Sequence, residues 1–403
     1  MTPITSTMQS SDVAADLQLR FLPASSRTEA MALWQSLEVK LSNQRLTCSS
    51  VWTNTWIDHY GELVPFQFAI GERHGTIVGI ALLTQGVLQS AGPFRLKTWH
   101  VGTAGEPEAA SVCVQYNSVL CQPQDQLEFG QMLWNWAQRE TNCDEFRLDG
   151  FASTTVNPLL ALHPEAGVER RVAFYFDLKS VRESGEEPIM RLGSHTRANI
   201  RRTQRDLGDV RVEWAETVER AEFLFHQLVE LHQARWNAEG LPGVYSSERF
   251  HGFHVDLLHR LFPLGRMSLV GVSAGNRLIA CSQLLVDNNR THFYQCGRQP
   301  SSGRVSHGLI LDYMCIQECL QRGFDEADFL GGVSDHKRRL STNQAELAWI
   351  TWRRPNLKNS AIATLRRVKR AAIQIRRTAL STPELTGSKA EVVVSQESKE
   401  SSP

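Results

Sequence analysis

The order of helical and strand-like segments constrains the fold of this chain most, because a similar series runs through it twice. Each pass contains helices, then adjacent strands, then a helix and a strand, at a period of roughly 160–170 residues. The two passes share little residue identity, so the repeat lies in the architecture. This mixed order predicts an α/β (α+β) fold, with mixed central sheets flanked by helices.

Changes in composition along the 403 residues divide the chain further. Polar ends predict disorder, and a segment rich in Lys and Arg predicts a basic amphipathic helix after the second pass. The predicted divisions are a disordered N-terminus (1–16), a first domain (17–169), a second domain (170–354), the basic helix (355–382) and a disordered tail (383–403).

Charge and cysteine content exclude several classes of protein. The 43 basic and 43 acidic residues cancel, which argues against a general nucleic-acid binder. The eight cysteines show no CxxC spacing, so we expect no metal site, and Cys315 and Cys319 are expected to be buried free thiols. No window reaches about 18 continuous apolar residues and no signal peptide is recognisable, so a cytoplasmic protein is expected.

The basic helix allows two interpretations. Between residues 358 and 379 it carries seven basic side chains and no acidic one, with apolar residues recurring every three to four positions. It is either packed on a domain with a solvated basic face, or in contact with anionic lipids at the inner membrane surface.

The stretch SHTRANIRRTQRDL places Arg197, Arg201 and Arg205 at i, i+4 and i+8 of a predicted helix. Like charges at this spacing repel, so the row requires an offsetting anion. That anion is either a substrate, such as a carrier phosphate or an acidic acceptor, or a nearby carboxylate. The candidate carboxylates are Asp206, Asp209 and Glu213.

The segment YQCGRQPSSGRVSHGLILDY runs from a strand through a Gly/Ser-rich loop into a helix. Such a loop lets backbone N–H groups approach a phosphate at the start of the helix. The spacing matches neither the Walker motif nor GxGxxG, which disfavours nucleotide hydrolases and Rossmann enzymes. A polar loop without a ligand stays open as the alternative.

These pieces, in their order, resemble a known family. WTNTWIDHYG, RANIRRTQRDL, LHQARWNAEG, GRVSHGLILDYMCIQECLQRGFDEADFLGG and SDHK are together similar to the GNAT acyltransferases, and in particular to the CelD/BcsL type associated with cellulose and exopolysaccharide biosynthesis. The chain also resembles the Fem-type aminoacyltransferases, which have tandem GNAT-like halves. The resemblance implies tandem GNAT-like domains, an acetyl-CoA or other acyl-CoA donor, and an amine acceptor.

The resemblance also implies roles for individual residues. A backbone N–H of the strand around Leu284 and Val286 would stabilise the oxyanion, and His336 stands where the family usually has a tyrosine. The residues that would hold the carrier pyrophosphate are Ser302, Gly303, Arg304, Ser306, His307 and Gly308.

Further reactive candidates are His232, as a general base on the same helix face as Trp236, together with Asp328 and Lys337. His232 and Trp236 can equally be a hydrogen-bonded histidine and a core tryptophan. The loop departs from the usual GNAT signature, so the donor stays open between acyl-CoA, an acyl carrier protein and aminoacyl-tRNA. Fem-type transfer to a peptidoglycan precursor and a non-catalytic scaffold in polysaccharide secretion are the alternative functions.

Overall fold

The computed structural model of the protein describes residues 17–42, 44–87, 89–91, 93–300 and 305–380. The predicted disordered segments, 1–16 and 383–403, lie outside these residues.

The described chain alternates strands and helices. The strands are β1 (Gln18–Pro23), β2 (Phe66–Arg73), β3 (Thr76–Gln85), β4 (Gln89–Ala91), β5 (Phe94–Leu96), β6 (Thr98–Val101), β7 (Leu120–Cys121), β8 (Glu145–Ala152), β9 (Gly167–Asp177), β10 (Val210–Trp214), β11 (Met267–Ala274), β12 (Arg277–Asp287), β13 (Arg290–Arg298), β14 (Glu326–Gly331) and β15 (Asn343–Arg353). The helices are α1 (Arg27–Lys40), α2 (Ser50–Tyr60), α3 (Gln126–Arg139), α4 (Ser153–Leu162), α5 (Leu178–Ser184), α6 (Ser194–Leu207), α7 (Val218–Ala238), α8 (Glu248–Leu261), α9 (His307–Gln321), α10 (Asp335–Leu340) and α11 (Leu357–Leu380).

Thirteen strands form one mixed sheet in the order β1-β2-β3-β6-β8-β15-β9-β14-β13-β12-β11-β10, with β7 paired to β3. Read from its two edges, the sheet repeats itself. In both halves two helices separate the first two strands, and the fourth and fifth strands (β6 with β8, β13 with β14) pair in parallel. The mixed α/β fold with a tandem arrangement is therefore confirmed.

The two halves exchange their last strands. β9 follows β8 in the chain but pairs with β14, while β15 follows β14 and pairs with β8. β9 and β15 also pair with each other, which makes the sheet continuous across the repeat. Residues up to Arg354 form one compact unit, and the domain boundary at residues 169 and 170 stays a prediction.

Large aromatic residues explain why helices from both halves share one core. Trp52, Trp56 and Tyr60 recur at four-residue spacing on α2 and are at most 1% exposed. Phe253 of α8 contacts the rings of Trp52 and Tyr60 edge-on, with centroids 5.3 and 5.9 Å apart. This packing fixes α2 of the first half against α8 of the second.

The second compact unit contains α11. Its sequence is basic and amphipathic as predicted, and Leu365, Val368 and Ile373 are 46% to 62% exposed. Within the described residues no helix combines the length and apolarity needed to cross a bilayer.

Two predictions from the sequence concern the cysteines and metal binding. All eight cysteines are free, and Cys315 and Cys319 are buried as predicted. No group of three or more potential metal ligands comes together among the residues that the structure describes.

Candidate functional site

The candidate site lies where the parallel strands β13 and β14 separate. They pair only from Arg290 to His292 on β13 and from Glu326 to Asp328 on β14. β13 then continues along β12, whereas β14 stays beside β9. The separation leaves two strand edges facing a gap at the level of the α9 N-terminus.

Side chains take the place of a neighbouring strand along the β14 edge of this gap. Asp328 Oδ1 accepts from the Leu330 N–H at 2.6 Å, and Gln115 Oε1 accepts from the Gly331 N–H at 2.6 Å. Lys337 Nζ donates to the carbonyls of Leu330 and Gly331 at 3.3 and 2.9 Å. Leu330 has a φ of 63°, a strained value for a branched side chain that these bonds maintain. The gap is therefore held open by the protein's own side chains.

Asp328 is fully buried at the base of the gap. Its Oδ2 accepts from Tyr116 Oη at 2.5 Å and from Arg290 Nη1 at 3.3 Å. Tyr116 belongs to the first half, so this carboxylate joins the two halves beneath the site. Burial, followed by the charge of Asp328, raises the pKa of the Tyr116 hydroxyl well above its usual value. Asp328 thus positions the strand edge and has no free oxygen directed at a substrate.

The N-terminus of α9 opens on the same gap. Ser306 caps the helix by accepting from the Leu309 N–H at 3.4 Å, and His307 Nδ1 lies 3.1 Å from the Gln299 carbonyl oxygen. A Cβ on Gly308 would lie 3.1 Å from Cδ and 3.3 Å from Nε of Arg298. Arg298 forms no ion pair with any described residue, so its guanidinium and the helix N-terminus together suit an anion. Ser302, Gly303 and Arg304 lie outside the described residues.

His336 and Lys337 lie on the other side of the gap, on α10. The Ser334 side chain caps this short helix by accepting from the Lys337 N–H. His336 Nε2 lies 2.5 Å from Asp312 Oδ2 on α9. Burial acts to lower the pKa of His336, but the hydrogen bond and charge of Asp312 outweigh it and raise that pKa. Burial lowers the pKa of Lys337, which makes its ammonium group a readier proton donor.

His232 and Trp236 contact each other on α7, but not as the base and platform that were predicted. His232 Nε2 accepts from the Trp236 indole N–H at 2.9 Å, and its Nδ1 lies 3.1 Å from Gln233 Oε1. Burial lowers the pKa of His232. Since both ring nitrogens are engaged, this arrangement leaves no lone pair for a substrate amine.

The strand around Leu284 and Val286 is not the one that separates from its neighbour. Leu284 pairs with Ser268 of β11 and Phe293 of β13, and Val286 pairs with Thr291. β12 is thus bordered on both sides, and the expectation that it supplies the oxyanion N–H is corrected. The strand with a free edge is β13, whose register with β12 shifts between Gln283 and Leu284.

The arginine row lies on α6, as predicted. Two of the three proposed internal partners are used elsewhere, since Asp209 pairs with Arg211 and Glu213 with Arg220, and the exposed Asp206 forms no ion pair with a described arginine. Arg197 donates only to the Met190 carbonyl, at 3.4 Å. Arg201 and Arg205 are exposed, and neither forms an ion pair with a described carboxylate. The arginine row is therefore not paired with the carboxylates that were proposed from the sequence.

The buried pair of His292 and Asp287 was not predicted from the sequence. His292 Nε2 lies 3.8 Å from Asp287 Oδ2, while His292 Nδ1 is buried without a hydrogen-bond partner in the structure. The ring lines a small cavity together with Gln115 and Leu330, next to the base of the gap. The only local signal was a hairpin turn, DNNR, that brings Asp287 and His292 to neighbouring strands.

Comparison with known proteins assigns this region. Residues 194–338 match the family described as Acetyltransferase (GNAT) domain. The second half contains a GNAT-type domain. The match includes β13, α9, β14 and the first residues of α10, and so the whole gap. No curated protein matches the chain by sequence.

Several solved structures are similar to this chain over most of its length. The structure of FemX is 11% identical, covering 82% of this chain and 96% of its own, with a TM-score of 0.52. L-PGS from Bacillus licheniformis is 8% identical over 89% of this chain and 98% of its own, with a TM-score of 0.48. A tandem GNAT protein from the clavulanic acid biosynthesis pathway is 11% identical over 83% and 98%, with a TM-score of 0.42. At these identities the similarity concerns the fold alone.

Proposed function

We propose that the protein is an N-acyltransferase that moves an acyl group from an acyl-CoA-type thioester to an amine acceptor. The observation that carries this proposal is the gap between β13 and β14, held open by side chains and bordered by the positive N-terminus of α9. A free strand edge suits the amides of an extended carrier arm, and the helix start with Arg298 suits its phosphates.

In the proposed reaction, the acceptor nitrogen attacks the thioester carbonyl carbon and forms a tetrahedral oxyanion. The C–S bond then breaks, the thiolate leaves, and the amine proton passes to a base. Backbone N–H groups on the free edge of β13 would stabilise the oxyanion. His336, whose protonated form is stabilised by Asp312, would donate a proton to the leaving thiolate. Lys337 would add positive charge to the gap while maintaining the β14 edge.

Turnover tests the proposal directly. We expect acetyl-CoA and a panel of primary amines to release free thiol in the presence of the protein, detected with a thiol-reactive dye. Lys337→Met should reduce kcat by about a hundredfold, because it removes the positive charge that Lys337 would add to the gap. The matched control is Lys179→Met, because Lys179 is exposed on α5, outside the gap. Tight binding of CoA without turnover of any amine would favour the non-catalytic scaffold.

The fold similarity to FemX supports a second candidate for the donor. In that case aminoacyl-tRNA would replace acyl-CoA, and the acceptor would be a peptidoglycan precursor. Transfer from charged tRNA with no thiol release from any acyl-CoA would decide for it; an acyl carrier protein is the third donor to include in the same assay.

The cellular setting remains part of the proposal. The CelD/BcsL resemblance supports a place in cellulose or exopolysaccharide metabolism. The exposed apolar residues of α11, among seven basic positions, support contact with an anionic membrane surface. Cosedimentation of the full chain with vesicles containing phosphatidylglycerol, but not with pure phosphatidylcholine vesicles, is the expected result; equal binding to both would contradict an electrostatic contact.

A further inference from the structure

The first half contains an apolar cavity at the place that corresponds to the gap of the second half. β6 and β8 pair in parallel only from Thr98 to Val101 and from Glu145 to Leu148, and the cavity begins at these last paired residues. α3 and α4 close it, as α9 and α10 flank the gap of the second half. Its volume is about 280 Å³.

The lining of this cavity excludes a charged ligand. None of the residues that line it is charged, and most are aliphatic or aromatic. The start of α3 is acidic, because Asp125 and Glu128 lie there and both pair with Arg73. A phosphate or carboxylate would therefore be repelled where the second half attracts one.

The cavity also differs from an ordinary packing defect. It is partly open to solvent, and it is many times larger than the water-sized voids that are found in protein interiors. Gly130 lies on α3 where α4 approaches, and a Cβ there would meet Leu159 at 3.4 Å, so the missing side chain keeps the space open. Leu127, at 44% exposure, lies on the lining and gives the cavity an apolar mouth.

We infer that this cavity binds an unbranched aliphatic chain, such as the alkyl or acyl portion of a lipid-like molecule, with its polar end at the mouth between α3 and α4. Because an apolar cavity of about 150 Å³ holds a benzene-sized ligand, a space of about 280 Å³ holds a chain of roughly eight to ten carbons. The site lies in the half that has no anion-binding helix start, so it is independent of the proposed acyl transfer and would hold even without that activity.

Titration calorimetry of the full chain with n-decanol tests the inference, with n-butanol as the short-chain probe. We expect saturable binding of decanol with a negative heat-capacity change, and binding of butanol at least tenfold weaker. Gly130→Leu should fill the cavity and weaken decanol binding at least tenfold. Ala161→Leu, on an exposed position of α4 outside the lining, is the matched control and should leave binding unchanged.

A second pair of variants guards against misfolding of the Gly130 variant. Leu127→Gln changes the mouth, and Leu162→Gln makes the same change at a position that is 55% exposed and outside the lining. Only the first should weaken decanol binding, by about threefold to tenfold, while both keep the wild-type melting temperature. Absence of saturable decanol binding to the wild type, or equal binding by Gly130→Leu, would overturn the inference. Thiol release from acetyl-CoA should be unchanged in Gly130→Leu, which separates this site from the proposed transfer.

Discussion

The helices α3 and α9 occupy equivalent places in the two halves, yet their N-termini have opposite electrostatic environments. α3 begins with Asp125 and Glu128, both paired with Arg73. α9 has no acid in its first turn, and Arg298 lies over its second residue. The N-terminus of α3 is therefore already neutralised by acidic side chains, whereas the N-terminus of α9 is accessible to an anion.

A histidine contacts the third helix of each half, α3 or α9, and the group that it meets there also differs between the halves. In the first half, His163 Nε2 lies 3.0 Å from the amide oxygen of Gln131 on α3, and its Nδ1 lies 3.3 Å from the exposed carboxylate of Glu165. In the second, His336 meets the carboxylate of Asp312 on α9. The repeat therefore preserves the scaffold, while the charged groups of the proposed site lie in the second half.

The largest expected effect concerns the contact of Asp328 with Tyr116 and Arg290, which joins the two halves. Asp328→Asn removes the buried negative charge beside Arg290 and leaves one acceptor oxygen where Tyr116, Arg290 and the Leu330 N–H now share two. We expect the free energy of unfolding to fall by about 3 kcal/mol, as for a broken buried pair. Urea unfolding followed by tryptophan fluorescence measures it. Asp335→Asn, at a 65% exposed carboxylate on α10, should cost less than about 0.5 kcal/mol. Similar losses in both variants would mean that the halves do not depend on this contact.

This contact also marks the limit of what the sequence predicts. Strand β14 and helix α9 follow from local patterns, and the glycine and serine at the helix start indicate its use. Tyr116 and Gln115 could not be found, because they are more than 200 positions from their partners on β14. The oxyanion strand was misplaced for the same reason: which strand loses a neighbour depends on long-range pairing, including the exchange of β9 and β15. The His232–Trp236 contact, four residues apart, was within reach of the sequence, but its closed hydrogen-bonding was not.

The second prediction concerns an acidic residue introduced at the N-terminus of α9, where α3 already has acidic residues. In Gly308→Glu, the new carboxylate would pair with Arg298 and repel carrier phosphates. We expect acetyl-CoA binding to weaken by about 2 kcal/mol, or roughly thirtyfold in Kd. Equilibrium dialysis measures this change. Gln321→Glu adds the same charge at the exposed C-terminal end of α9 and should not alter Kd. Unchanged affinity in the Gly308 variant would remove α9 from the binding site.

The His336–Asp312 pair of the second half predicts a pH dependence of stability. Because the pKa of His336 is raised in the folded protein, the His336–Asp312 pair stabilises fully below the unfolded pKa of about 6.5. This contribution is lost as the pH rises through the folded pKa. The ring is 42% exposed, so solvent screening limits it to less than about 1 kcal/mol.

Urea midpoints between pH 5.5 and 8.5 measure this contribution. The fall in stability toward high pH should be smaller in His336→Gln than in the wild type, and Asp312→Asn should reproduce the change. His74→Gln, at an exposed position in the turn between β2 and β3, is the comparison variant and should retain the wild-type slope. A slope that is the same in all four proteins would show that the link carries no net charge.

The smallest expected effect concerns α6, which lies between the halves and has no counterpart in the first. Because Arg201 and Arg205 are exposed without carboxylate partners, replacing both with alanine should raise KM for donor or acceptor about fivefold, and less at high salt. The melting temperature should stay within a degree or two of the wild type. Arg182→Ala with Arg211→Ala removes the same charge from two exposed, paired arginines and should leave KM unchanged. A lower melting temperature with an unchanged KM would instead make the row structural, and the anion site would then be confined to α9 and Arg298.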